Sequence, residues 1–259
     1  MQIKIMSFNI RYDNPNDGVN VWQNRREYVA EIINKYQCDF VCMQEVTMNQ
    51  LNDSIKNFLQ YTFVARSRDA DNESGESVPI AFVTDKWKVL DLGFFWLSGT
   101  PDIPASKSFG NTLPRITTWT KFANTATHET VLLYNTHFDH ESTTAQLKSA
   151  ELLIEHISSN HLGINNIIIT GDFNVEFGNR VIKVLLSSDL KLMDTAMEYR
   201  KKIPRFGTFH NWTGYTLQQI DFIFSSSNIK IIDFQIIKDS FGNRYPSDHF
   251  PIISTLEIS

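Results

Sequence analysis

The chain has 259 residues, 42% of them hydrophobic, with 24 basic against 29 acidic side chains and a formal net charge of -5. Such a length supports a large buried core, and the acidic balance excludes an overall basic footprint for counterion-driven binding to duplex nucleic acid. No apolar run approaches the roughly 18 residues of a membrane helix, and no linker, repeat or low-complexity tract divides the chain, which predicts a single domain over 1–259.

Residues 2–10 alternate as a half-buried strand, with a break in the two-residue period near Met6, and carry Asn9 near their end. A strand so close to the first residue leaves no room for a signal peptide. The expectation is a cytoplasmic protein, or a secreted one if a leader was removed. A turn-rich loop follows, Asp13 to Gly18, then a helix from Arg25 to Gln37 with Val29, Ile32, Ile33 and Tyr36 on one face and Asn24 as its cap. The strand Phe40–Met43 leads to Glu45. Thr47 and Gln50 have capping-box spacing ahead of a helix over 48–59. Cys38 and Cys42, spaced four apart, read as small core residues with thiols on one face, which argues against a mutual disulfide.

Beyond residue 60 the pattern predicts strands at 61–65, 79–83, 87–92, 116–122 and 131–136, with an exposed polar loop at 66–77. A helix striped by Leu147, Ala150, Ile154 and Ile157 follows, then a buried strand at 166–170 and a short helix at 179–187. The remainder is β-like at 219–224, 229–237 and 250–258, behind a turn-rich segment at 202–215. Strands separated by helices predict an α/β arrangement of mixed sheets with helices outside.

Polar groups recur where these apolar runs stop: Asn9, Glu45, His137, Asp172 with Asn174, and Asp248 with His249. At the same end of neighbouring strands they would converge. Asn9, Glu45, Asp172, Asn174 and Asp248 offer the oxygen ligands Mg2+ wants, and His137 and His249 titrate where protons move at neutral pH. The parts suit metal-assisted phosphoester hydrolysis. Asp172 would orient or deprotonate a water, and Asn174 would bond a phosphate oxygen or the metal, although Gly171–Asn174 also suits a plain Asx turn.

Glu45 serves equally as a helix-capping acid, and Asn9 suits an edge or bulge position. Asp221, a carboxylate in an apolar strand, needs a partner. His249 is the natural one, with backbone amides as the alternative. His137 would hold the scissile phosphate, with His140 beside it, and Arg115 together with Arg66 or Arg68 would fork onto phosphate oxygens unless they are ordinary solvated arginines. Of the aromatic residues, Phe94, Phe95, Trp96, Phe109, Phe206 and Phe209 read mainly as core, and the loop around Trp212 and Tyr215 as a substrate contact.

In chain order the strings SFNI, QEV, NTHFDH, GDFN, IDFIF and SDHFP, from Ser7 to Pro251, resemble the endonuclease/exonuclease/phosphatase superfamily. Arg11-Tyr12-Asp13-Asn14, Asn24-Arg25-Arg26, Phe95-Trp96-Leu97-Ser98 and Leu113-Pro114-Arg115-Ile116 look like a bacterial branch similar to the carbon-catabolite-repressor deadenylases. The resemblance implies the deoxyribonuclease I-like four-layered α/β/β/α sandwich of two mixed sheets, with its site at one end. It implies Asn9, Glu45 and Asp248 as metal-site residues and His137, Asp172, Asn174, Asp221 and His249 as catalytic ones. Arg115, His140 and Trp212 are the expected substrate contacts. Phe109-Gly110-Asn111 and the Ser77 after Glu76 depart from the branch in its substrate loops.

The function so implied is a Mg2+-dependent phosphodiesterase or nuclease, with Mn2+ as a substitute, acting on single-stranded nucleic acid or a nucleotide. The rivals are a phospholipid, sphingomyelin or inositol-phosphate hydrolase and a catalytically silent phosphate-binding module. No protein partner is expected.

Overall fold

The computed structural model describes residues 1–161 and 163–258. The chain runs β1 (Gln2–Asn9), α1 (Trp22–Tyr36), β2 (Phe40–Gln44), β3 (Val46–Thr47), α2 (Met48–Asn57), β4 (Tyr61–Val64), β5 (Glu76–Ser77), β6 (Ile80–Val83), β7 (Trp87–Trp96), β8 (Ile116–Asn124) and β9 (Thr130–His137). It continues α3 (Thr143–Asn160), β10 (Ile167–Asp172), α4 (Arg180–Leu186), β11 (Leu192–Asp194), α5 (Met197–Lys202), β12 (Asp221–Ser226), β13 (Lys230–Ile236) and β14 (Ile252–Glu257).

Two six-stranded sheets form, ordered β13-β14-β1-β2-β6-β4 and β11-β12-β10-β9-β8-β7. Each is mixed: β1–β2 and β9–β10 pair in parallel, their other neighbours antiparallel. Side chains alternate across a strand, so every central strand feeds two apolar layers. Ile3, Ile5, Phe40, Cys42, Phe122, Leu133, Ile168 and Ile223 fill the space between the sheets. Met6, Phe8, Val41 and Met43 pack on the outer side with Val29, Ile32 and Ile33 of α1 and Leu51 of α2. Leu132, Tyr134, Ile169, Phe222 and Phe224 do the same with Leu153 and Ile157 of α3 and Ile182 and Leu185 of α4. The result is the expected α/β/β/α sandwich of the deoxyribonuclease I-like type.

The layers explain several departures from the sequence pattern. The apparent break at Met6 is no break: Ile3 and Ile5 face the partner sheet while Met6 and Phe8 face α1, and a strand buried on both sides shows little alternation. Cys38 lies before β2 and packs under α1, whereas Cys42 packs between the sheets, so the two thiols are in different layers. Burial pushes both thiols up to about 12.

Helix α1 starts three residues early, at Trp22, whose indole donates to Asp53 Oδ2 at 2.8 Å on α2. Asn24 therefore lies inside the first turn and donates to Val19 O rather than capping. The capping box of α2 forms as expected, with Gln50 Oε1 accepting from Thr47 N at 3.1 Å. The stretch 66–77 is not wholly exposed: Ser67, Arg68 and Ser77 are buried, and Glu76–Ser77 forms β5 against β3. Strand β11 and helix α5 lack a strong apolar period and were not anticipated. No helix among the described residues is long and apolar enough to cross a membrane.

Where β10 meets β9, a Cβ on Gly171 would lie 2.3 Å from the carbonyl oxygen of Thr136. Backbone cannot yield as a flexible side chain would. Gly171→Ala is therefore expected to destabilise the fold by about 1–3 kcal/mol, read as a lower urea midpoint at unchanged slope.

Candidate active site

The polar residues of the central strands collect at one edge of the sandwich because of the pairing. Asp172, ending β10, sits in register with His137, ending β9, and with Asp221, opening β12. Across the gap between sheets, Asn9 ends β1 and donates from Nδ2 to Glu45 Oε1 at 2.9 Å and to Asp172 Oδ2 at 3.0 Å, so one amide ties the two sheets together. Asp248 and His249 arrive on the loop before β14 and Arg115 on the loop before β8. A cleft of about 590 Å³ opens over them.

His249 Nδ1 lies 2.9 Å from Asp221 Oδ2, and its Nε2 lies 3.8 Å from Asp172 Oδ2. Asp172 Oδ1 accepts from the backbone N of Asn174 at 2.9 Å. The Asn174 amide donates to Phe138 O and to His137 Nε2, both at 3.0 Å. Arg115 Nη1 lies 3.3 Å from both ring nitrogens of His137, so donors surround a ring that is itself neutral. Arg115 is buried beside it, with Nη2 2.8 Å from His140 Nδ1. Arg115 Nε and Asp139 Oδ1 stand 3.6 Å apart, and neither has a hydrogen-bond partner among the described residues.

Burial and charge pull these groups in different directions. Burial and Asp221 push Asp172 up to about 7. Burial opposes the His249 cation, but Asp221, Asp172 and Asp248 together raise it to about 10. Burial, Arg115 and Arg68 hold His137 well below 6.5, which keeps it neutral. Burial also opposes the Glu45 charge, yet Asn9, His249, Arg11 and the Tyr12 backbone N–H outweigh it and lower Glu45. Asp248 is raised, chiefly by burial.

Glu45, Asp172 and Asp248 present carboxylate oxygens to one cleft, a hard-donor set that suits Mg2+ or Mn2+ better than metals that favour thiolate. Ligand atoms of Glu45, His137 and Asp172 lie within 4.8 Å of one another, as do those of Asp172, Asp221 and His249. A divalent cation there would offset the crowding that raises Asp172. The donor set therefore fits such an ion.

The expected residues divide as follows. Glu45, Arg115, His137, His140, Asp172, Asn174, Asp248 and His249 all line the cleft. Asp221 lies directly behind His249. Asn9 bridges the Glu45 and Asp172 carboxylates through its Nδ2, while its Oδ1 accepts from Arg11 N at 2.9 Å. Trp212 is outside the cleft beside its lining residue Asn211, its ring 5.6 Å from the Arg25 guanidinium. Arg66 lies against Trp96, whereas Arg68 reaches the cleft and pairs with Glu76 at 2.8 Å.

Several lining residues lie outside the expected site, among them Phe209, whose pattern reads as core. Arg11 is held through two bonds to Asp17, at 2.9 and 3.0 Å, and Tyr12, Glu76, Leu113, Phe209, Asn211 and Ile220 complete the walls. The signal for Arg11 was its place two residues beyond Asn9. For Glu76, which burial and Glu45 push up to about 7, the signal was only its place ahead of Ser77, where the chain departs from the branch pattern.

Residues 6–249 match the family model described as Endonuclease/Exonuclease/phosphatase family. Among solved structures, a family protein from Bacteroides vulgatus is 32% identical with a TM-score of 0.92, each chain covered over 100%. A Bacteroides thetaiotaomicron mannosyl-6-phosphatase is 30% identical with a TM-score of 0.91, covering 99% of this chain and 100% of that one. Two uncharacterized proteins of Acanthamoeba polyphaga mimivirus are 27% and 24% identical over 61% and 60% of this chain, which spans only 61% and 28% of their own lengths.

Asp221 is the strongest support of the His249 cation, so Asp221→Asn is expected to lower the His249 titration from about 10, followed by NMR of the metal-free protein. The sign for stability follows from a raised folded value: the contribution of His249 is whole below its unfolded value of about 6.5 and is lost as pH climbs toward about 10. Stability in Asp221→Asn should therefore vary less across that window. An unchanged His249 titration would contradict the pairing.

Proposed function

Because the chain belongs to the Endonuclease/Exonuclease/phosphatase family, we propose that it is a Mg2+-dependent hydrolase, with Mn2+ as substitute, taking a phosphate ester of a small polar molecule, a sugar phosphate or a nucleotide. The chain is a phosphoester hydrolase by family; the metal, the residue roles and the substrate are our reading. The carrying observation is the cleft itself: about 590 Å³, walled by Arg11, Arg68 and Arg115 around the carboxylates. That volume matches a single small ligand, and a net charge of -5 offers no track for a long strand. The relative named as a mannosyl-6-phosphatase supports a monoester.

In this reading Glu45 and Asp248 hold the cation, with Asn9 orienting Glu45. A bound divalent ion would supply charge neutralisation and polarise a phosphoryl oxygen. Arg115, His140 and the neutral His137 hold the non-bridging oxygens, where charge develops. Asp172, poised near 7, orients a water and takes its proton as the new P–O bond forms. His249, kept cationic by Asp221 only 3.8 Å from Asp172, stands on the same face of phosphorus and stabilises that charge. The ester P–O bond breaks on the opposite face, and solvent protonates the leaving oxygen. Residues 1–259 act as one domain in this scheme.

A second reading, a single-stranded nucleic acid substrate, draws on the aromatic walls, Tyr12 and Phe209, on which a base could stack. Turnover of a sugar 6-phosphate, a mononucleotide, a phosphodiester, an oligonucleotide and a phospholipid headgroup ester, with and without chelator, separates the readings. Small esters are expected to react fastest and chelation to abolish turnover. Asp172→Asn should lower kcat about 10²–10⁴-fold with KM little changed. Equal rates with chelator and in the variant would refute the mechanism.

A further inference from the structure

Arg25 is 2% exposed, and none of its hydrogen bonds goes to a carboxylate. Burial draws it down to about 10, against Asp248, Asp17 and Glu45, which leaves it charged at neutral pH. Its five N–H donors serve five backbone carbonyls. Nε donates to Asn20 O at 2.9 Å, Nη1 to Ile10 O and to Pro246 O at 3.0 Å, and Nη2 to Arg11 O at 2.6 Å and Tyr12 O at 3.2 Å.

Four of these carbonyls, those of Ile10, Arg11, Tyr12 and Pro246, belong to the two segments that carry the cleft's carboxylate contacts; Asn20 lies just before α1. After β1, Arg11 has a φ of +56°, and the carbonyls of residues 10–12 converge on one point instead of alternating. From that turn Arg11 N donates to Asn9 Oδ1, and Tyr12 N donates to Glu45 Oε2 at 3.1 Å. Before β14, Pro246 leads into Ser247, whose Oγ donates to Asn9 O at 2.6 Å, and then to Asp248. Trp22 and Trp212 lie 5.1 and 5.6 Å from the guanidinium, which accounts for Trp212 outside the cleft.

We propose that Arg25 is a positioning residue for the cation site: one guanidinium joins the turn that holds Glu45 to the loop that carries Asp248, and so sets the separation of the two carboxylates. The inference rests on the assignment of those carboxylates to a cation in the proposed function. Lysine cannot replace the joint, because it keeps the charge but offers three donors from one atom where five carbonyls lie around a planar fork. Arg25→Lys thus isolates geometry from charge.

The test is Mn2+ binding to the substrate-free protein by calorimetry, comparing wild type, Arg25→Lys, Ser247→Ala and Glu45→Gln, with kcat measured at saturating Mn2+. Ser247→Ala is a small change at the same joint and decides the matter if Arg25→Lys does not fold. The expected result is Mn2+ affinity about 10–100-fold weaker in both joint variants, with kcat at saturating metal falling less than the affinity. A folded Arg25→Lys that binds Mn2+ like wild type, or an unfolded one alongside an unchanged Ser247→Ala, overturns the role of Arg25. Equal Mn2+ binding by wild type and Glu45→Gln overturns instead the cation assignment beneath it, and this inference with it.

Discussion

Gln44 of β2 and Asn135 of β9 meet between the two sheets, both fully buried, with Gln44 Nε2 donating to Asn135 Oδ1 at 2.7 Å. Asn135 donates in turn to the carbonyls of Met43 and Pro79, and Thr170 and Ser7 join the same layer. Buried amides are costly unless bonded, so these bonds favour one position of sheet on sheet, even though Gln44 Oε1 finds no partner among the described residues. That position places Asn9 and Glu45 of one sheet opposite His137 and Asp172 of the other. The cleft is the next layer outward from this polar seam, and its geometry is inherited from it.

The inner face of each central strand changes character toward that edge. Ile3 and Ile5 give way to Ser7 and Asn9, Val131 and Leu133 to Asn135 and His137, Ile168 to Thr170 and Asp172. Apolar burial holds the sheets together at one end, and hydrogen bonding takes over at the other. Burial and charge separate the titrations there: burial and Asp221 move Asp172 up to about 7, the carboxylates raise His249 against burial to about 10, and burial with Arg115 lowers His137. A carboxyl near 7, an imidazolium and a neutral imidazole thus stand side by side at neutral pH, with their titrations pushed apart.

The cleft arginines are each held before any ligand arrives. Asp17 grips Arg11 through two bonds, Glu76 pairs with Arg68, and His137 and His140 flank Arg115. Groups already in place lose little freedom on binding. Arg25 differs in kind, since it faces carbonyls rather than a ligand, and it accounts for a left-handed Arg11 that the local sequence does not require.

Most strands and four of the five α-helices among the described residues are legible in the sequence, since period and caps are local properties. So was the family, because its strings fall at strand ends, where an apolar run stopping on Asp172, Glu45 or His249 is visible without coordinates. What only the tertiary structure decided depends on partners far along the chain. The Asn9 amide turns its N–H toward Glu45 and Asp172 because Arg11 N takes its oxygen. Trp212 stacks near a guanidinium nearly two hundred positions earlier in the chain, and Glu76 enters the cleft because β5 pairs with β3. Local pattern encodes which face of an element is apolar; which polar group meets which is set by how the sheets stack, and no single stretch of sequence contains that.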